Sequence, residues 1–291
     1  MTMINSKNEK VVLITGTSTG IGSSLALAFA HAGFQTIATM RNIDKAKALL
    51  DTAAQENVHL DVRQLDVCDD QSVALCVGGI QKDYGRIDIL INNAGEGFHR
   101  TLEQASLDDI KRVMDVNFYG VVRLTKAVLP SMRELQSGHI ITISSLGGLI
   151  AVPFSEIYCA AKFAVEGMME ALAPIANALG IHISLIEPGP VTTAFAGKLQ
   201  QPHESNIAIY EELEQILRTN FLQHFPDGPQ TGDEIARIVL KAALSNKPKL
   251  RYVTSADGVN VASHKYVDIN NSTYFELGKQ LFATQEKELL G

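Results

Sequence analysis

Tyr158 and Lys162 stand four residues apart, Ser145 precedes the tyrosine by thirteen, and Asn117 lies further upstream. On a helix, the four-residue interval puts a phenol and an ammonium on one face, so the fixed cation favours the ionised phenol. A free phenol, with a pKa of about 10, is a poor base near neutrality; a lysine beside it makes a group able to exchange protons. The stretch from Ile157 to Leu179 is rich in Ala, Met, Glu and Leu, which predicts the helix that the pair requires. A tyrosine and lysine at this spacing also arise by chance, with an exposed ring laid over a lysine stem as the ordinary outcome. The context of the pair therefore carries the argument. Cys159 adjoins the tyrosine but points about 100° away around a helix, where a packed thiol is expected rather than a second nucleophile.

Short β-branched runs alternate with longer helical ones and supply that context. Val11 to Thr15, Gln35 to Thr39, Val58 to Leu65, Ile87 to Ile91, His139 to Ile143 and Ile181 to Ile186 read as strands, with Leu250 to Thr254 as the last. Runs such as VVLIT and HIITI lack strict alternation, which suits strands covered on both faces. The expected fold is α/β: a Rossmann-like, doubly wound parallel sheet with helices on both faces, in a single domain. Such sheets bind ligands beyond the carboxyl ends of their strands. From Ala196 to Gly232 the pattern breaks into a mixed segment with an amphipathic piece from Ile209 to Phe221, expected to cover the site. A helix from Asp233 to Leu244 and a polar extension from about 255 to 291 follow.

Composition removes several function classes. The 291 residues are 46% hydrophobic and 20% charged, enough for one large core. With 25 Lys and Arg against 32 Asp and Glu, the net charge of −7 leaves no basic field for nucleic acid or an anionic membrane. Cys68, Cys76 and Cys159 are too unevenly spaced for a disulfide framework or a zinc site, and no metal is expected. The amino-terminal MTMINSKNEK carries no apolar secretory core, and no run reaches the roughly 18 apolar residues of a membrane span. A cytoplasmic setting is expected.

After the first strand, Thr15-Gly16-Thr17-Ser18-Thr19-Gly20-Ile21-Gly22 opens a helix running to about Ala32. Gly16, Gly20 and Gly22 allow a tight turn and close approach of a pyrophosphate, while N–H groups around Ser18, Thr19 and Ile21 attract its charge. The second strand ends at Thr39-Met40-Arg41, where a carboxylate that would hold the ribose 2′-hydroxyl of NAD is missing. Arg41 can instead pair with a 2′-phosphate, which points to NADP; a solvated arginine ahead of a helix capped by Asn42 is the plainer alternative. Asp66 and Val67, directly after the third strand, are placed to meet an adenine, with helix capping by the aspartate as the competitor. Asn92-Asn93-Ala94-Gly95 offers small residues for close approach and two amides to tie neighbouring loops.

These motifs, together with the asparagine of D-V-N-F-Y-G, a Ser-Ser pair ahead of Y-x-x-x-K, and Pro188-Gly189, resemble those of the short-chain dehydrogenase/reductase family of the NADP-preferring kind. They fall in family order over residues 10 to 195. More narrowly, VPFSEIYCAAKFAVEGMMEAL and ISLIEPGPVTTAF resemble the branch that contains 17β-hydroxysteroid dehydrogenase type 1 and retinol dehydrogenases. The resemblance implies that Tyr158 exchanges the proton of the substrate oxygen and that Lys162 holds the nicotinamide ribose as well as tuning the phenol. It implies that Ser145, rather than Ser144, hydrogen-bonds the carbonyl, that Asn117 holds a water linking Lys162 to bulk, and that Val191 and Thr193 meet the carboxamide. Asn93, Ala94 and Gly95 would line the cofactor.

Leu146 to Phe154, Ala194, Phe195 and the amphipathic piece would wall the substrate space with apolar atoms, implying a small hydrophobic alcohol or carbonyl compound. His203 and His224 are candidate polar contacts. The favoured activity is interconversion of such an alcohol and its carbonyl with NADP(H). An acyl or polyketide-type ketoreductase and a non-catalytic dinucleotide sensor of the same fold are the alternatives. Helices around Leu107 to Leu135 and Ile157 to Leu179 resemble those through which the family pairs subunits, so a homodimer or homotetramer is expected.

Overall fold

The computed structural model describes residues 9–192, 207–266 and 279–280. Seven parallel strands form one sheet: β1 (Val11–Ile14), β2 (Gln35–Met40), β3 (Asp61–Gln64), β4 (Ile89–Asn92), β5 (Gly138–Ile143), β6 (Ile181–Glu187) and β9 (Arg251–Val253), in the order β3-β2-β1-β4-β5-β6-β9. A separate parallel pair joins β7 (Val191–Thr192) to β8 (Gln230–Thr231). The expected strands are all present. The third is shorter than the run from Val58 to Leu65, because Val58 is spent closing the preceding helix, its N–H donating to Ala53 O at 2.9 Å.

Successive strand residues face opposite helical layers, which is why the strands read as unbroken apolar runs. Val11 and Leu13 pack into one core with α3 (Asp70–Tyr84), α5 (Gly120–Leu135) and α6 (Glu156–Ala178). Val12 and Ile14 pack into the other with α1 (Gly20–His31), α2 (Lys47–Gln55) and α8 (Gly232–Ala243). Each fully buried Leu, Ile or Phe, such as Leu13, Ile14 or Phe29, contributes roughly 1.5–3 kcal/mol. Capping fixes where helices begin. The Asp69 side chain accepts from the backbone of Gln71 and Ser72 at the start of α3, and Thr231 and Glu234 form a reciprocal box at α8.

Strand order reverses between β1 and β4, opening the crevice in which doubly wound sheets hold ligands. Two further helices border its carboxyl side: α7 (Ala208–Phe221) in the expected cover, and α9 (Ala256–Tyr266). The second departs from the polar tail expected beyond residue 255. Val261 and Ala262 pack under Leu146, Leu149, Ile150 and Phe225, an apolar contact too short to show as a period in sequence. No helix among the described residues is long and apolar enough to cross a membrane.

Candidate active site

The glycine-rich turn is built by steric necessity. A Cβ on Gly16, whose φ is +70°, would meet Ala94 Cα at 2.8 Å, and one on Gly22 would meet the Gly16 carbonyl oxygen at 2.2 Å. Gly20 also has positive φ, and α1 begins there after Thr19. The turn is tied to both neighbours: Thr17 N donates to Thr39 O at 2.9 Å, and Asn93 Nδ2 donates to Thr15 O at 2.8 Å and Gly16 O at 3.0 Å. The Thr15 hydroxyl accepts from the N–H groups of Asn93 and Ala94, each at 2.9 Å. Ser18 and Ile21 complete the loop and the first turn of α1.

Ser18, Met40, Arg41, Asn42 and Lys45 line a cavity of about 360 Å³ at the end of β2. Arg41 is exposed, its backbone carbonyl accepting from Gln64 Nε2 at 3.1 Å. Lys45, a second cation on the same cavity, escaped sequence reasoning; its position one turn into the short 3₁₀ helix Ile43–Ala46 was the available signal. Asn42 caps that helix as expected, accepting from Asp44 N at 2.9 Å. Half-buried Asp66 accepts from Cys68 N at 3.0 Å and so closes its own turn, leaving α3 to be capped by Asp69; Val67 is buried beneath Gly120.

Across the switch point, β5 and α6 bring Ser145, Tyr158 and Lys162 together. Ser145 begins the 3₁₀ turn Leu146–Gly148, its Oγ accepting from Gly147 N at 3.0 Å. A hydrogen bond from the Ser145 side chain draws the Tyr158 phenol downward, but burial dominates and pushes it up to about 12. Lys162 Nζ donates to Ile143 O at 3.0 Å and lies 5.7 Å from the Tyr158 ring centroid. The lysine is itself driven down to about 8 by burial, against the opposing pull of Glu166. Among the protein's own groups, burial thus outweighs the lowering of the phenol expected from its lysine. Desolvation outweighs a cation that has turned to a backbone carbonyl and is only weakly held in its charged form.

Asn117 sits in a π-helical turn, Asp115–Tyr119, between α4 (Leu107–Met114) and α5. Its side chain is held at both ends: Oδ1 accepts from Glu96 N at 3.1 Å, and Nδ2 donates to Glu96 O at 2.8 Å and Val113 O at 3.0 Å. A Cβ on Gly95 would lie 3.0 Å from Asn117 Oδ1 and 4.0 Å from Lys162 Nζ, so N-N-A-G, asparagine and lysine share one pocket wall.

The apolar wall is partly core. Leu146, Leu149 and Ile150 are buried beneath Phe225 and α9 instead of lining open space. Phe154 is packed beneath α7 by Leu217, Tyr210, Leu213 and Phe221, and holds φ at 61°, a conformation that costs energy for a bulky residue and clusters near functional sites. The ring of His99 stacks on it at 5.8 Å and reaches Glu214 of α7 at 3.2 Å. His224 is half-buried in the short helix Leu222–His224. Val191 pairs with Gln230 in the small sheet. Thr193, Ala194, Phe195 and His203 lie outside the described residues.

A family model described as short chain dehydrogenase matches residues 10–204. The chain belongs to that family. Retinol dehydrogenase 8 of Bos taurus is 40% identical over 279 residues, which span 91% of this chain and 88% of the relative. The 17-beta-hydroxysteroid dehydrogenase type 1 of Homo sapiens is 38% identical over 275 residues, 91% of this chain and 83% of the relative. A solved structure of an actinorhodin polyketide ketoreductase variant with NADPH matches with a TM-score of 0.73 at 26% identity, covering 86% of this chain and 97% of that one. The two curated relatives fall in the branch that residues 152–172 and 183–195 resemble.

Proposed function

We propose that this protein is an NADP(H)-dependent oxidoreductase that interconverts a hydrophobic secondary alcohol and its carbonyl, of steroid or retinoid type. The observation that carries the reading is the meeting of Ser145, Tyr158 and Lys162 across the switch point from a glycine-rich turn that has no room for a Cβ at Gly16 or Gly22. That turn suits a dinucleotide, since Cβ atoms at Gly16 and Gly22 would collide with Ala94 and with the turn's own Gly16 carbonyl, so only glycines let the backbone fold tightly enough to turn its N–H groups toward a pyrophosphate. Arg41 and Lys45 would hold a 2′-phosphate, Lys162 the nicotinamide ribose, and Val191 and Thr193 the carboxamide. When bound, the nicotinamide supplies a hydride to the carbonyl carbon or accepts one from the alcohol.

Ser145 orients the substrate oxygen and Tyr158 exchanges its proton. A phenol pushed up to about 12 by burial is protonated near neutrality, which is the form that donates in the carbonyl-reducing direction. Asn117 organises the wall behind Lys162, where a water would connect the lysine to bulk. The cover helix α7 places Tyr210 and Leu213 over Phe154 and supports a hydrophobic substrate, as do the activities named in the two relatives. The outer faces of α5 and α6 carry exposed Leu135 and Ile175 and suit pairing of subunits.

The test is a panel of retinal, steroid ketones, aliphatic ketones and acyl thioesters, with NADPH or NADH, followed by loss of reduced-cofactor absorbance. Turnover of a hydrophobic ketone or aldehyde with a preference for NADPH is expected. Thioesters turned over far faster than the others would move the assignment to an acyl ketoreductase. Cofactor binding without turnover of any member would favour a sensor.

A further inference from the structure

Below the tyrosine and lysine lies a second set of buried ionisable groups for which the proposed reaction has no use. Lys162, Glu166 and Glu170 recur every four residues along α6 and so share a stripe. Arg251, at the start of β9, reaches all the carboxylates nearby: Nη1 pairs with Glu166 and lies 2.9 Å from Glu187 Oε1, while Nη2 pairs with Glu170. Glu166 and Glu187 are 4% and 0% exposed, and Ser144 Oγ, Glu166 Oε1 and Glu187 Oε2 are buried with no partner in good hydrogen-bond geometry, although the Ser144 side chain lies close enough to draw the Glu166 carboxyl downward. A Cβ on Gly148 would come within 2.9 Å of both Glu166 Cγ and Ser144 Oγ, so the turn that carries Ser145 rests directly on Glu166.

Stability alone is a poor reason for such a cluster. Desolvating several charges costs about as much as their pairing returns, and well-packed apolar residues serve as well. Its position suggests another role. Around Lys162, the π turn offers Asp115, already paired with Arg123, and the loop after β4 offers Glu96, paired with Arg112. β5 and its following turn offer the Ile143 carbonyl and Ser144, β6 offers Glu187, and β9 offers Arg251. On α6 itself stand Tyr158, Cys159, Glu166 and Glu170. Among these, Glu166 is the carboxylate that acts on Lys162 to keep its proton. Burial pushes the Glu187 carboxyl up to about 7 and raises that of Glu166 as well, while Arg251 draws both back down.

We propose that Glu166, oriented by Arg251, is a positioning residue whose carboxylate holds the positive charge on Lys162 behind the catalytic tyrosine. The inference rests on the oxidoreductase reading, and its first test does not need turnover. In cofactor-free protein, the Lys162 amine is labelled competitively with acetic anhydride across a pH series and its peptide quantified by mass spectrometry, since only the neutral amine reacts. Half-reactivity near pH 8 is expected for the wild type, about one pH unit lower for Glu166→Gln, and between the two for Glu166→Asp. Glu187→Gln should move it much less.

In the second test, the alkaline limb of kcat/KM for carbonyl reduction should shift with the labelling midpoint while KM for the carbonyl stays within about twofold. A role confined to packing would lower activity evenly across pH. A labelling midpoint unchanged in Glu166→Gln overturns the proposal; should that variant not fold, an unchanged midpoint in Glu166→Asp does the same. A wild type without carbonyl turnover would count against the oxidoreductase reading, and the labelling would still decide whether Glu166 governs Lys162.

Discussion

Both ends of the sheet bury ionisable side chains, but they finish the job differently. At the amino end, Asp88 accepts from Val11 N at 2.8 Å and pairs with Arg86. His139 reaches Ser184 Oγ at 3.0 Å, and that hydroxyl donates to Lys249 O at 2.7 Å. Burial, with His182 and Lys10 nearby, drives His139 down to about 3, so it is an uncharged part of the core. At the carboxyl end, Ser144, Glu166 and Glu187 each keep a buried atom with no partner in good hydrogen-bond geometry, and burial drives Lys162 down to about 8. Polar groups satisfied by their own neighbours hold a fold together; groups left poised can respond to a bound molecule. The amino end has one loose atom of its own, Arg86 Nε, on a side chain that is otherwise committed to Asp88.

The sharpest way to break this contrast is Tyr158→Phe. Removing the proton donor while leaving ring packing intact should lower kcat by about 10³-fold, with NADPH affinity nearly unchanged by fluorescence titration. Undiminished turnover in a folded variant would end the catalytic reading of the carboxyl end. The amino end should answer instead to acid. His139 binds its proton at about 3 when folded and at 6.5 when unfolded, so the unfolded chain takes up more protons between those values. The stability of the neutral-histidine core is fully present above 6.5 and lost as pH falls toward 3. Relative to His139→Gln, which has no proton to gain, the wild type should lose roughly 2–3 kcal/mol between neutrality and about pH 4.5 in urea melts. Parallel melts would refute it, and kcat of the variant at neutral pH should match wild type.

A smaller effect concerns the cofactor crevice. Arg41→Ala should raise KM for NADPH by roughly 10–100-fold and leave that for NADH nearly unchanged, because a charge-assisted pair to a phosphate is worth about 1.5–3 kcal/mol. Lys45→Ala should do the same more weakly. Equal effects on both cofactors would show that the cavity at the end of β2 does not read the 2′-phosphate.

What sequence could announce follows the same division. The strands, the glycine turn and the Tyr158–Lys162 interval were legible because each is local: an apolar run, a backbone constraint, a helical spacing. Glu166, Glu187 and Arg251 come from α6, β6 and β9 and converge only once β9 joins the sheet beside β6, so no interval along the chain marks them. Phe154 reads as one more wall residue, since nothing in its type foretells a left-handed backbone. The spacing of Tyr158 and Lys162 reports that a lysine is near and says nothing of how dry the pair is; among the protein's own groups, dryness decides the sign. The last helix is hidden for a different reason: its buried apolar residues, Val261 and Ala262, stand among polar neighbours, and Lys265 reaches Leu149 O and the Phe163 ring from a position no sequence period marks.

The smallest expected effect lies at the amino end, where α5 hands over to β5. Gln136 closes α5 with φ 48° and ψ 36°, the left-handed conformation that favours glycine, and its side chain is exposed. The position matches the residue after a helix at which glycine is preferred, because a Cβ there crowds the backbone. Gln136→Gly should therefore raise stability by about 0.5–1 kcal/mol, less whatever the unfolded chain gains in freedom. It should leave kcat and the pH profile unchanged, since the poised groups stand at the other end of the sheet. A stability gain accompanied by a shifted alkaline limb would mean that the two ends are coupled through β5, and the division drawn between them would fail at the strand they share.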